Sequence, residues 1–267
     1  MWMINTVIVL CVLYLLALRG RIGHPLLKEL RKYSYAHRGL HKEGAPENSM
    51  EAFRRAVATG YGIEMDVHLL ADGELAVIHD ASLKRTAGVD KQIEDLTVAD
   101  LQDYRLEGTQ EQIPLFKEVL KTVAGKVPLI VELKPERNNH KVLTETVCAV
   151  LKNYDGLFCV ESFDPRVVAY VRKHYPDFVR GQLAHNSLKE KMKLPWLLRF
   201  VVTYNLLNFS VVPDFISYRY RDRKTLSNFL CRKFWRIQGV TWTITDEGQY
   251  HNAVGEGWIP IFENFEP

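Results

Sequence analysis

The sequence predicts an α/β fold: a TIM (β/α)8-type barrel with a small cap insertion and an N-terminal transmembrane or interfacial helix. Three observations carry this expectation. From residue 33 onward short apolar runs alternate with amphipathic stretches, the pattern of strands joined by helices in a parallel sheet. About eight such runs fall within about 235 residues, the size of one closed barrel. The run Trp2 to Leu18, WMINTVIVLCVLYLLAL, carries no charge.

That N-terminal run sits at the lower limit of about 17 residues for a spanning helix. A cleaved signal peptide would have positive residues before the apolar run and small residues after it. Here nothing positive precedes the run, and Leu18-Arg19-Gly20-Arg21 follows it. Arg19, Arg21, Lys28, Arg31 and Lys32 lie on the C-terminal side, which the positive-inside rule places in the cytoplasm. The expectation is a membrane-anchored, single-pass protein with a cytoplasmic domain. The alternative is a helix lying in the interface with the basic cluster on anionic lipid. Residues 1–20 then form the membrane segment, 21–32 a basic juxtamembrane linker, and 33–267 the barrel.

Along the barrel, Tyr33 to His37 reads as the first strand. Ser49 to Thr59 reads as a helix capped by Asn48, with Met50, Phe53 and Val57 on one face and Gly60 as its stop. Ile63 to Leu69 alternates as a strand does, and Glu74 to His79 is a short extended run. Pro128 to Leu133, PLIVEL, is near-continuously apolar, as a strand buried on both faces should be. Val142 to Tyr154 is helical, Leu157 to Ser162 a strand, and Pro165 to Tyr175 a helix with proline in its first turn. Further strands are expected at Phe178 to Leu183, Phe215 to Tyr218, Gln238 to Ile244 and Trp258 to Glu263. No Gly-rich phosphate loop follows the first strand, which argues against a doubly wound open sheet. Two segments interrupt the alternation. Residues 80–112 are polar, with short helical patches such as Thr97 to Tyr104, and are read as a cap over the barrel mouth. Residues 194–212, LPWLLRFVVTYNLLNFSVV, are unusually apolar for a barrel connection. They read as covering core or as a second lipid contact through Trp196, Phe200 and Tyr204.

Composition narrows the function classes. A formal charge of +3, with no basic stripe and no finger or helix-turn-helix pattern, excludes nucleic acid as a partner. Cys148, Cys159 and Cys231 lie beyond the apolar run in no metal-binding or disulfide spacing and read as buried thiols. No protein partner is evident.

Polar residues crowd the strand ends. Glu64 and Asp66 are two apart on one strand and share a face. Two inward carboxylates are costly unless compensated, and a hard divalent cation with oxygen ligands is the natural compensation. Glu132 supplies a third oxygen from the PLIVEL strand. His37 and His79 titrate near neutral pH and form a candidate acid–base pair. Arg38 and Lys134 can hold an anion. A metal, two cations and two histidines around one point suit phosphodiester cleavage.

The ordered set His37-Arg38-Gly39, Pro46-Glu47-Asn48, Glu64-Met65-Asp66, Asp72-Gly73, His79-Asp80 and Glu132-Leu133-Lys134 resembles the glycerophosphodiester phosphodiesterase family, membrane-anchored bacterial type. Glu161-Ser162-Phe163-Asp164 and Trp242-Thr243-Ile244-Thr245 also look like family segments. The resemblance implies a TIM barrel that cleaves glycerophosphodiesters to an alcohol and sn-glycerol 3-phosphate, and membrane attachment adds lysophospholipids or phospholipid headgroups as candidate substrates. It implies catalytic His37 and His79, and one Mg2+ or Ca2+, with Mn2+ as a further option, on Glu64, Asp66 and Glu132. It implies phosphate contacts from Arg38 and Lys134 and attack by a neighbouring glycerol hydroxyl; Glu47 is a further substrate-binding candidate that reaches the site from behind, and Trp242 either stacks on the glycerol moiety or fills the barrel. The sequence departs from the family where the last strand ends, with Glu263-Asn264 in place of a threonine-aspartate pair. His68 reads as a packed histidine, and Asp80 as a partner of His79 or a turn cap. A phospholipase D-like enzyme of the same fold and an inactive membrane-bound barrel are the competing readings.

Overall fold

The computed structural model describes residues 2–190 and 194–267. The barrel strands are β1 (Tyr35–Ala36), β2 (Gly62–Leu69), β4 (Leu129–Leu133), β5 (Phe158–Ser162), β6 (Arg180–Ala184), β7 (Phe215–Arg219), β8 (Gln238–Ile244) and β9 (Trp258–Phe262), all parallel to their neighbours. Ala36 pairs with Ile63 on one side and Phe262 on the other, which closes the ring. β3 (Leu75–Val77) is an antiparallel flap on β2. The eight-stranded parallel barrel is therefore the architecture expected from the alternation.

Alternation along β2 divides the protein into layers. Ile63, Met65 and Val67 face outward with Val131 and Leu133. They meet Phe53 of α2 (Met50–Thr59), Val119 of α3 (Phe116–Val123) and Val147 of α4 (His140–Leu151). The inward layer is apolar at the N-terminal end, where Tyr35, Ile130, Cys159, Phe215, Val240 and Ile259 pack together. Toward the C-terminal end the same face turns acidic. Asp66 stands opposite Glu132, and Glu132 opposite Glu161.

Local signals explain most boundaries. Pro165 opens α5 (Pro165–His174), and Gly60 ends α2 in the left-handed conformation. The cap of α2 differs from the expectation. Ser49, not Asn48, accepts the Ala52 N–H at 3.1 Å, because Asn48 has a positive φ and turns inward. The first strand is also shorter than its apolar run, since the chain bends away after Ala36 through Arg38 and Gly39. Residues 80–112 pack Leu83, Ile93, Leu96, Leu101 and Leu106 against Ala76 and Ile78, a small core beside the flap.

The N-terminal expectation needs correction. Among the described residues, no helix is long and apolar enough to cross a membrane. The helix α1 is Trp2–Ala17, 16 residues, and at ~1.5 Å per residue it spans about 24 Å against a hydrocarbon core of about 30 Å. Residue 1 of the 1–20 segment lies outside the described residues. Without a spanning helix the positive-inside argument orients nothing. Arg21 moreover pairs with Asp214 at 2.5 Å instead of facing lipid. The 21–32 stretch is docked: Leu30 is buried and its carbonyl accepts the Tyr35 hydroxyl at 3.0 Å, sealing the N-terminal end of the barrel.

One packing detail is specified by a single glycine. Gly181 sits opposite Phe215, and a Cβ there would lie 2.1 Å from the Phe215 ring. Gly181→Ala is expected to cost roughly 1–3 kcal/mol through overpacking, read as a lowered melting temperature. An unchanged melt would mean that this barrel layer has slack.

Candidate active site

The acidic trio forms because strand register leaves no other place for it. Glu64 and Asp66 follow each other on the inner face of β2, and Glu132 lies beside Asp66 on β4. All three are buried, and each offers an oxygen within 4.8 Å of the others. Lys134 extends the same face and donates to Glu132 Oε1 at 3.0 Å, with Asp66 Oδ1 3.4 Å away. Asn48 donates from Nδ2 to Asp66 Oδ2 at 2.9 Å. The Arg38 amide donates to Glu64 Oε2 at 3.0 Å. That last contact needs the sharp turn after β1. Gly39 has φ +80°, and a Cβ there would meet Ala52 Cβ at 2.9 Å, so only glycine fits.

The charges are not balanced within the protein. Burial pushes Glu64 well above the usual carboxylate range, and its neighbours Asp66 and Glu132 push further. Burial raises Glu132 to about 7 against the pull of Lys134. Burial acts on Asp66 too, but Lys134, His79 and Arg38 outweigh it and hold Asp66 far below the usual range. Asp66 Oδ1 is buried with no hydrogen-bond partner. An orphaned carboxylate oxygen beside two carboxyls forced upward is the donor set that a hard cation satisfies, so these residues fit a divalent metal.

Both histidines reach this trio. His37 follows β1, its Nε2 lies 3.9 Å from Glu64 Oε2, and its Nδ1 is 2.7 Å from Glu263 Oε2. Burial lowers His37, against the hydrogen bond it donates to Glu263, while that bond holds Glu263 below its ordinary range. A neutral imidazole facing an ionised carboxylate carries its proton on Nδ1, which leaves Nε2 as an acceptor toward the cavity. His79 repeats the arrangement: its Nδ1 is 2.5 Å from Asp80 Oδ1. Despite partial burial Asp80 is held at about 2 by Arg85 and His79. Burial lowers His79 as well.

The remaining expected residues fall into place differently. Glu47 is saturated: Oε1 accepts from Arg38 Nη1 at 2.9 Å and Arg85 Nη2 at 2.6 Å, and Oε2 from Arg85 Nη1 at 2.9 Å. It reaches the site through Arg38 and offers no free oxygen. Trp242 lines a cavity of about 100 Å3 with His37, Arg38, Glu64, His79 and Glu132. Phe163 meets its indole edge-on at 5.7 Å, and Leu183 and Phe163 complete an apolar wall. His68 is a packed residue, with Nδ1 2.6 Å from Glu94 and Nε2 3.2 Å from the His79 carbonyl.

Three participants escaped the sequence reading. Glu161 lines the cavity, and burial with the nearby Glu132 drives its carboxyl well upward. Its spacing on a β-strand end was a usable signal. Arg85 bridges Asp80 and Glu47 from the cap, and Glu263 braces His37. Neither contact has a spacing signal, since the partners are 38 and 226 residues apart.

Comparison with known proteins bears on this geometry. The Glycerophosphoryl diester phosphodiesterase family matches residues 37–251. A glycerophosphodiester phosphodiesterase of Bacillus altitudinis is 28% identical over 243 residues, 86% of this chain and 94% of that protein. Lysophospholipase D GDPD1 of Rattus norvegicus is 34% identical over 146 residues, and the match spans only 45% of that protein and 48% of this chain. The solved structure of an Oleispira antarctica phosphodiesterase in complex with the product sn-glycerol-3-phosphate has a TM-score of 0.72 at 22% identity. It covers 86% of this chain and 92% of that one, a likeness of fold. The fold and the site define a phosphodiester-cleaving barrel enzyme. The chain belongs to the glycerophosphoryl diester phosphodiesterase family.

The raised carboxyls set the pH behaviour of the metal-free protein. Below the ordinary carboxylate pKa both folded and unfolded chains hold these protons. Above it the unfolded chain releases them while folded Glu132 keeps its own up to about 7. The stabilisation is therefore present at low pH and lost as pH rises through that window. In chelator, the melting temperature should fall between about pH 5 and about pH 8, and a divalent cation should restore it increasingly as pH rises. A flat profile in chelator would contradict the charge imbalance.

Proposed function

We propose that this enzyme hydrolyses glycerophosphodiesters to an alcohol and sn-glycerol 3-phosphate, with one divalent cation held by Glu64, Asp66 and Glu132. The observation that carries this reading is the buried trio between two histidines, each braced by a carboxylate on Nδ1 so that Nε2 is offered to the same cavity. Oxygen-only ligands favour Mg2+ or Ca2+, with Mn2+ as the softer option. Bound there, the ion supplies Lewis-acid withdrawal of charge from a phosphoryl oxygen.

The chain's own residues do the rest. Arg38, fixed by Glu47, and Lys134 place positive charge beside the diester. One histidine takes the proton from the glycerol hydroxyl next to the phosphate as that oxygen bonds to phosphorus. The other, protonated, gives its proton to the departing alcohol oxygen as its bond to phosphorus breaks. Water then opens the cyclic phosphate with the histidine roles reversed. Trp242, Phe163 and Leu183 form the apolar wall that receives carbon atoms of glycerol or of the leaving alcohol.

Lysophospholipids are a second substrate class, favoured by that wall and by exposed Trp196 and Leu197 at the start of α6 (Trp196–Thr203). Hydroxyl attack sets a sharp rule. A lipid acylated only at the outer glycerol carbon keeps the needed hydroxyl, whereas a diacyl lipid has lost it. For α1, we propose contact with lipid that does not cross the bilayer, because its exposed Ile4, Val7, Ile8, Leu10 and Leu13 leave no polar face. The barrel at 33–267 is the catalytic unit, with 80–112 as the cap that carries Arg85.

His37→Ala and His79→Ala should each lower turnover by at least about 100-fold with an unchanged circular dichroism spectrum. Near-normal rates in either would refute the assignment. Chelator should abolish turnover and an added divalent cation restore it. Assayed side by side with product identification, soluble glycerophosphodiesters should yield sn-glycerol 3-phosphate, and monoacyl lipids the acylated equivalent. Phosphatidic acid released from a diacyl lipid would exclude hydroxyl attack and favour phospholipase D-like chemistry.

A further inference from the structure

Glu263 does more than face His37. It stands where the family resemblance leads one to expect threonine, directly after β9, and it draws a second histidine toward the first. His41 Nε2 lies 3.7 Å from the same Glu263 Oε2 that meets His37 Nδ1 at 2.7 Å. Each of the three residues offers a ligand atom within 4.8 Å of the others. His41 Nε2 is buried and has no hydrogen-bond partner, so hydrogen bonding alone leaves this group incomplete. A cavity of about 310 Å3 borders it, lined by His41, Lys42, Phe262, Glu263 and Phe265, and gives a small ion a route in.

The ligand chemistry differs from that of the acidic trio. Two imidazoles and one carboxylate with an open position are the set that Zn2+ and related borderline ions take. At Zn–N and Zn–O bonds of about 2.0–2.1 Å, tetrahedral ligand atoms stand about 3.3 Å apart. The His37–Glu263 pair would open by about 0.6 Å and the His41–Glu263 pair would close by about 0.4 Å, shifts within reach of side-chain rotation. We propose that His37 Nδ1, His41 Nε2 and Glu263 form a second, zinc-type metal site, distinct from the oxygen site, and that its occupation switches the enzyme off.

The switch follows from imidazole bookkeeping. Neutral His37 holds one proton, on Nδ1, and offers Nε2 as the acceptor. When an ion takes Nδ1, that proton moves to Nε2 and none is released. Nε2 then has no lone pair for a substrate hydroxyl. The site itself stands without any catalytic assignment, whereas the loss of activity rests on the role proposed above for His37.

The test uses the full chain in excess Mg2+ or Ca2+. Addition of Zn2+ should bind one further equivalent and inhibit in parallel, and Co2+ in its place should give the visible d–d bands of a nitrogen–oxygen site. In His41→Gln, Zn2+ affinity and inhibitory potency, read against that variant's own basal rate, should weaken by at least about tenfold. Absence of a further bound equivalent and of Co2+ bands in the unaltered chain would overturn the site, as would equal Zn2+ affinity in His41→Gln. Zinc that binds through His41 but leaves turnover untouched would uphold the site and overturn the role of His37.

Discussion

The structure is organised around one liability, a concentration of negative charge inside a barrel. Strand register puts Asp66, Glu132 and Glu161 side by side, and strand periodicity adds Glu64. Two cations pair within this group, Lys134 with Asp66 and Glu132 and Arg38 with Asp66 alone. Burial first, and then the like charge of neighbouring carboxylates, drives Glu64, Glu132 and Glu161 upward. The apolar floor built by Tyr35, Ile130 and Phe215 adds no polar partner from below. A cation entering at the mouth is the one change that relieves all of these groups at once.

The two histidines report on two different parts of the molecule. His37 is held from β9 by Glu263, across the seam where β1 closes the ring. His79 is held by Asp80, which Arg85 ties to Glu47, which in turn fixes Arg38. A chain of ion pairs thus runs from Arg85 in the 80–112 segment to Arg38 on one side and to the His79 imidazole on the other. Such networks lose more when one member is removed than pairwise sums suggest. Barrel closure thus positions His37 while the 80–112 segment positions His79, so the two imidazoles can be perturbed separately.

What the sequence disclosed follows from range. Glu64, Asp66, Glu132 and Lys134 were legible because period-2 alternation is a local property, and their convergence required only that the strands be neighbours. Asn48 was half legible. Its place before α2 is a capping position, but its positive φ hands the cap to Ser49 and sends its amide to Asp66, 18 residues away. Glu263 and Arg85 were opaque, because their contacts depend on ring closure and on the path of an insertion, which no spacing encodes. The helix at Trp2–Ala17 was legible as a helix. Its end was not, since Leu18 leaves the apolar run to become fully buried.

The docking of α1 also constrains how lipid could meet the site. Trp235 donates its indole N–H to Leu15 O at 2.8 Å, and the Arg21 amide donates to Pro213 O at 2.8 Å. Pro213 and Trp235 lie just before β7 and β8, so α1 joins the barrel at the N-terminal ends of its strands. The acidic trio and both histidines lie toward the opposite pole. Access of a lipid substrate depends instead on the rim, where Phe163, edge-on to both His185 and Trp242, leads from solvent to the cavity. The apolar surface of α1 and the entry to the cavity are thus separate features, and the first is no argument for lipid chemistry at the second.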